Sequence, residues 1–197
     1  MTNPLVGYVE CARIAGGEGV PYVQLRMKTD DIDAHLRTAI AVCEALEGSE
    51  TVFIVNDDIA VARDSDADGA HLGQDDLSID EARRLWNQPG KIIGLSTHGI
   101  QQAQLAQTGG ADYIGVGPVF PTPTKAIADP TVGLENLKVI SGFSTKPCVA
   151  IGGISETNLA DVLSTGVKTY ALVRAVCGAD DPARVIRALR AIETKGQ

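Results

Sequence analysis

A chain of 197 residues, 44% hydrophobic and 21% charged, is long enough to bury one full core, and parallel βα architectures often reach this length as a single domain spanning 1–197. A formal net charge of -8 argues against bulk nucleic-acid binding, which needs a positive face, so an anionic ligand must be gripped by a few local cations. No apolar run approaches the roughly 18 residues of a membrane span, and no charged-then-apolar signal segment opens the chain.

The four cysteines, Cys11, Cys43, Cys148 and Cys177, are scattered without a Cys-x-x-Cys pair, which predicts free thiols in a reduced cytoplasmic setting and no zinc site. Aromatics make up only 4%, so the core must be built from Val, Ile, Leu and Ala. In chain order, Met1 to Pro4 is too short for a strand, and the apolar positions from Leu5 to Ala15 trace a helical stripe that Gly16-Gly17 closes. Tyr22 to Lys28 alternates, with Gln24, Arg26 and Lys28 on one face. On the edge of a sheet that face is merely solvated, whereas in a barrel mouth the three side chains can converge on one anion. Asp31 caps a helix reaching Leu46, in which His35 packs or faces solvent and binds nothing.

The stretch from Thr51 to Asp76 carries the most information. It reads as strand, short helix, strand, and each strand runs into an acidic cluster: Asn56-Asp57-Asp58 after Val52-Phe53-Ile54-Val55, and Gln74-Asp75-Asp76 after Ala70-His71-Leu72-Gly73. Parallel neighbouring strands would set carboxylates from both clusters side by side at one rim, a donor set suited to magnesium, a hard cation that keeps several waters. Asp57 or Asp58 can equally cap the helix that follows.

A capping box, Ser78 with Glu81, then opens a helix to about Trp86. Further strands are predicted at Lys91–Leu95, Tyr113–Gly117, Pro147–Ile151 and Thr169–Val173, alternating with helices near Ile100–Gln107, Leu134–Ile140, Thr157–Leu163 and Asp181–Ile192. Three prolines in eight residues make Pro118 to Lys125 a shaped loop rather than a helix or central strand. Repeated βαβ winding calls for a parallel sheet buried on both faces, and six or more units favour a closed (β/α) barrel of TIM type over an open sheet. No G-x-G-x-x-G follows the first strand, and the conspicuous polar residues fall just after strands, where barrel enzymes keep their chemistry.

That rim would gather an acidic pair, the cations Arg26, Lys28 and Lys125, the polar groups Asn56, Ser96, Thr122 and Thr124, and a Gly152-Gly153 turn. Acids and cations around one mouth suit a metal-bound diphosphate, and a glycine turn near the last strands suits a second phosphate. Departure of diphosphate requires charge stabilisation more than acid–base machinery.

The motifs VQLRMK, VNDD, HLGQDD, GLSTH, GVGPVFPTPTK and AIGGI together resemble the thiamin phosphate synthase (thiamin-phosphate pyrophosphorylase) family, from about residue 5 to the end of the chain. The resemblance implies a magnesium-dependent transferase. It would condense hydroxymethylpyrimidine diphosphate with a thiazole phosphate through a pyrimidine carbocation, releasing diphosphate. It further implies that Gln24, Arg26, Lys28, Asn56, Ser96 and Lys125 line the pyrimidine diphosphate site, with Arg26, Lys28, Ser96 and Lys125 acting in catalysis. Asp57 and Asp76 become the magnesium ligands, and Thr122, Thr124, Gly153, Val173 and Arg174 face the thiazole phosphate. His98 receives no role beyond a structural one, and a homodimer is the implied assembly. Two departures stand out: the family normally begins with a strand reading like Tyr-Leu-Val-Thr-Asp, so the first strand is expected to be missing or shortened, and the family usually has Ser where Arg174 stands. The alternatives are a thiazole phosphate tautomerase, against which the diphosphate-site cations and acids count, and a non-catalytic paralogue that binds a thiamin precursor.

Overall fold

The computed structural model describes residues 1–123 and 130–194, so Thr124 and Lys125 lie outside the described residues. Seven strands form one sheet in the order β1 to β7: β1 (Tyr22–Leu25), β2 (Val52–Asn56), β3 (Gly69–Leu72), β4 (Ile92–Thr97), β5 (Tyr113–Val116), β6 (Cys148–Ile151) and β7 (Thr169–Ala171). Every pairing joins successive strands in parallel. The helices between them are α1 (Tyr8–Gly17), α2 (Ile32–Leu46), α3 (Ile59–Asp64), α4 (Ile79–Leu85), α5 (Ile100–Ala106), α6 (Gly133–Phe143), α7 (Leu159–Ser164), α8 (Arg174–Cys177) and α9 (Pro182–Glu193).

The sheet is curled rather than flat. The side chain of Gln24 on β1 hydrogen-bonds the hydroxyl of Tyr113 on β5, a contact between strands four places apart that only a rolled sheet allows. Burial on both faces is why a strand such as β2 reads as a near-continuous apolar run, Val52-Phe53-Ile54-Val55. Leu25, Leu72, Ile93 and Ile114 are fully buried, each contributing about 1.5–3 kcal/mol by leaving water.

Caps set several element boundaries as the sequence predicts. Asp31 accepts from the Ala34 N–H, Asp181 accepts from the Arg184 N–H, and Ser78 and Glu81 form the reciprocal capping box. Two boundaries differ from expectation. The first helix starts at Tyr8 rather than Leu5, because Gly7 at φ +81° follows a turn closed by its N–H on the Pro4 carbonyl. It ends at Gly17 as expected, and the turn beyond is closed by Gly19: with Gly19 at φ +65°, the N–H groups of Gly19 and Val20 reach back to Gly16 and Ala15, a Schellman closure. The last strand stops at Ala171, and Arg174 opens the short helix α8 instead of extending the strand.

Residues Met1 to Leu5 run from the free edge of β1 to α8. The Met1 amine donates to the Gln24 carbonyl and the Met1 carbonyl accepts from the Arg26 N–H, one residue of parallel pairing opposite Leu25. On the other side the Leu5 N–H reaches the Cys177 carbonyl and the Thr2 N–H reaches the Cys177 sulfur. Met1 thus adds a single residue of pairing to the β1 edge of a seven-stranded sheet, and no first strand is clearly missing from it.

The Cys177 thiol also bonds the thiol of Cys11 on α1, and that bond holds Cys177 down to about 6 while pushing Cys11 above the ordinary thiol range. In a Cys11→Ala variant the bond is gone and burial, which disfavours thiolate, remains. The Cys177 titration is therefore expected to move upward from about 6, as read by thiolate ultraviolet absorbance against pH. A titration that stays in place would show that Cys11 does not set it.

Candidate active site

The carboxyl ends of β2 and β3 bring the two acidic clusters together and divide the work between neighbouring residues. Asp57 sits in the left-handed region at φ +68°, a conformation that Asp tolerates better than most side chains, with its N–H on the His71 carbonyl at 2.8 Å. That turn sends Asp58 onto the start of α3, where it accepts from the Val61 N–H at 2.9 Å. The cap reading of this cluster therefore holds for Asp58 and not for Asp57. Asp57 is left to the mouth, where Lys28 Nζ donates to its Oδ2. Asp76 accepts from the Gly73 N–H at 2.6 Å, and its carboxyl lies against that of Asp57. Burial, with the Asp57 carboxylate alongside, holds the Asp76 carboxyl above the usual range, while the Gly73 N–H and Lys28 pull the other way.

Two carboxylates in contact, with one lysine against them among the described residues, form a partly desolvated like-charge pair. This donor set fits a divalent cation that takes one or two carboxylates and completes its shell with water and phosphate oxygens. Among the described residues no cluster of three or more His, Cys, Asp or Glu is built to cage a metal, so an all-protein calcium- or zinc-type site is not what these residues offer.

Inside the wall, below the mouth, lies a polar chain that sequence reasoning missed. His71 on β3 bonds the Tyr113 hydroxyl through Nδ1 and the Ser96 hydroxyl through Nε2, both at 2.9 Å. Burial raises the Tyr113 hydroxyl well above its ordinary range, so it stays protonated. Two strand glycines make room for these rings. A Cβ at Gly94 would lie 2.1 Å from the Tyr113 ring, and one at Gly115 would lie 3.1 Å from the His71 ring. Glycine weakens a strand and often marks a close approach. That signal, in a sequence with Gly94 and Gly115 at interior strand positions, was available.

The expected convergence of Gln24, Arg26 and Lys28 on one anion is only partly what the chain arranges. Gln24 turns inward to Tyr113, Lys28 lies outward against Asp57, and Arg26 follows the end of β1. Asn56 closes β2 in register with His71, and Ser96 is half-buried near the end of β4, its carbonyl accepting from the Gln74 amide. His98 holds the loop after β5 by bonding the Gly117 carbonyl through Nδ1 at 2.6 Å. That loop leans on the β6 turn: the Val119 N–H reaches the Ile151 carbonyl and the Phe120 N–H the Gly152 carbonyl. Gly153, at φ +68°, packs under Phe120, and Thr122 stands half-buried beyond it. Across the mouth, Val173 and the exposed Arg174 line a cavity of about 280 Å³ with Thr2, Asn3, Cys177 and Gly178.

A family model described as thiamine monophosphate synthase matches residues 5–176, the whole span from the first turn to the last rim helix. The chain belongs to this family. The thiamine-phosphate synthase of Pelotomaculum thermopropionicum is 46% identical over 88% of this chain and 79% of its own length. That of Methanocella arvoryzae is 42% identical over 93% of this chain and 86% of its own. Among solved structures, the thiamine phosphate pyrophosphorylase of Pyrococcus furiosus superposes with a TM-score of 0.89 at 35% identity, covering 98% of this chain and 92% of that one. The 3-hexulose-6-phosphate synthase of Salmonella typhimurium, at 15% identity and a TM-score of 0.74, shares the fold alone. Membership extends over the rim residues described above, from Lys28 to Arg174.

Proposed function

We propose that this enzyme condenses a hydroxymethylpyrimidine diphosphate with a thiazole phosphate to give thiamin phosphate and diphosphate. The observation that carries the reading is the meeting of Lys28, Asp57 and Asp76 at one rim of a barrel belonging to the thiamine monophosphate synthase family. Asp57 and Asp76 would hold magnesium, which when bound would neutralise diphosphate charge. Lys28 and Arg26 bring further positive charge to the departing diphosphate, with Lys125 beside them as the resemblance implies. Ser96 supplies a hydroxyl donor, and Asn56 an amide. Loss of the diphosphate leaves a pyrimidine cation that the thiazole nitrogen captures, so the residues need to orient and neutralise rather than to transfer protons. Thr122, Thr124 and Gly153 would receive the thiazole phosphate, with Val173 and Arg174 on the opposite side of the mouth.

No helix among the described residues is long and apolar enough to cross a membrane. On the resemblance, the protein works in the cytoplasm as a homodimer on small phosphorylated substrates; light scattering tests the assembly.

The deciding experiment mixes protein, both phosphorylated precursors and magnesium, and detects thiamin phosphate by oxidation to fluorescent thiochrome. Magnesium-dependent product is expected, and folded protein that yields none would overturn the reading. Arg174 lines the cavity without an ion-pair partner among the described residues, so its guanidinium is available to a phosphate. Arg174→Ser is expected to weaken thiazole phosphate binding on the order of tenfold, the scale of one charge-assisted hydrogen bond, by calorimetric titration. Tighter binding in that variant would mean that the arginine obstructs the site.

A further inference from the structure

The chain Gln24, Tyr113, His71, Ser96 links strands β1, β5, β3 and β4 through the barrel interior and ends on a hydroxyl assigned to the diphosphate site. A neutral imidazole has one N–H donor and one bare acceptor, so the partner at one nitrogen decides what the other can do. Of the two hydroxyls facing His71, the phenol is the more acidic and the better donor. It gives its proton to Nδ1, while the Gln24 amide donates to the phenol oxygen from the other side. His71 must then carry its proton on Nε2 and donate to Ser96 Oγ. With that lone pair taken, the Ser96 hydrogen is turned away from His71 and needs another acceptor.

We propose that Tyr113 and His71 form a one-directional hydrogen-bond relay that makes Ser96 a committed donor to the departing diphosphate, so that both are positioning residues for the reaction. The inference rests on the function proposed above. An undirected interior network would equally satisfy its own polar groups, but it would leave Ser96 free to donate to His71 instead of the substrate. The relay is also expensive to place, since Gly94 and Gly115 leave two strands without side chains where the Tyr113 and His71 rings lie.

The test has two arms. Nitrogen NMR of the imidazoles in the substrate-free protein, with His71 assigned by loss of its signals in His71→Gln, is expected to show Nε2 protonated and Nδ1 bare. In Tyr113→Phe the tautomers should mix. Protonation on Nδ1 would overturn the relay, whether or not the protein makes thiamin phosphate, which the thiochrome assay on wild type answers separately. In the second arm, Tyr113→Phe is expected to lower kcat on the order of tenfold with KM within about twofold, the scale of losing one hydrogen bond made in the transition state. Introduced into Ser96→Ala, the same change should cost nothing further, because the relay has lost its outlet. Losses that multiply in the double variant, or full turnover in Tyr113→Phe, would sink the proposal.

Discussion

Asp57→Asn and Asp76→Asn are each expected to reduce magnesium-dependent turnover by on the order of a hundredfold or more, the scale of losing preorganised charge stabilisation at a transition state. The two carboxyls touch, Lys28 reaches one of them, and burial with its neighbour's charge keeps the Asp76 carboxyl above its usual range. An arrangement that opposes its own ionisation is costly to the free protein and suits a site that waits for a cation. Asparagine keeps the shape and removes the charge, so the fold should persist. Steady-state turnover as a function of magnesium, alongside circular dichroism to confirm folding, reads the outcome. Wild-type turnover in both variants would remove the metal assignment. By contrast, Asp58→Asn should leave turnover intact, because Asp58 spends its side chain on the Val61 N–H and asparagine caps comparably well.

The second large effect is on stability. Gly152→Ala places a Cβ 2.5 Å from the Cβ of Pro118 and 2.6 Å from its Cα, and it asks an L-residue to hold φ +98°. Strain of the left-handed region costs roughly 1–2 kcal/mol and forced overpacking against backbone roughly 1–3 kcal/mol, so a loss of about 2–5 kcal/mol is expected. Chemical denaturation would show this as a lowered midpoint with little change in slope. The Phe120 N–H bonds the Gly152 carbonyl, so the loop that carries Thr122 should shift with it and turnover should fall as well. An unaffected midpoint would show that the β6 turn can relax away from Pro118.

Much of this was legible in the sequence because the signals are local. Hydrophobic runs between turn residues gave the strand and helix alternation, and Ser78, Asp31 and Asp181 marked helix starts through side-chain oxygens that act within one turn. The acidic pair was readable because parallel register places successive strand ends at one rim. Sequence periodicity could not divide Asp57 from Asp58, since that choice depends on a backbone dihedral of +68°. Nor could it find the His71–Tyr113 contact. That contact joins residues 42 positions apart on strands that are not neighbours, and it crosses the intervening strand at Gly94, which registers with both. The Gly19 closure was not legible for a related reason: with three glycines between residues 16 and 19, composition marks the end of the helix but not which glycine turns left-handed.

The buried apolar residues fall into two clusters, one built from Ala12 through Ile93 with Ala111, the other from Ala103 through Leu189, and Leu95 packs against both. The first cluster is drawn almost wholly from the part of the chain that leaves the ribosome first. It can condense around α1 to α4 before β5 to β7 exist, and the same stretch of chain carries Lys28, Asp57 and Asp76. Tyr113 arrives later, and its bond to His71 stitches the late half onto the early one. Native-state hydrogen exchange is expected to resolve two cooperative units that part near Leu95. A single global opening would show the barrel to be one folding unit.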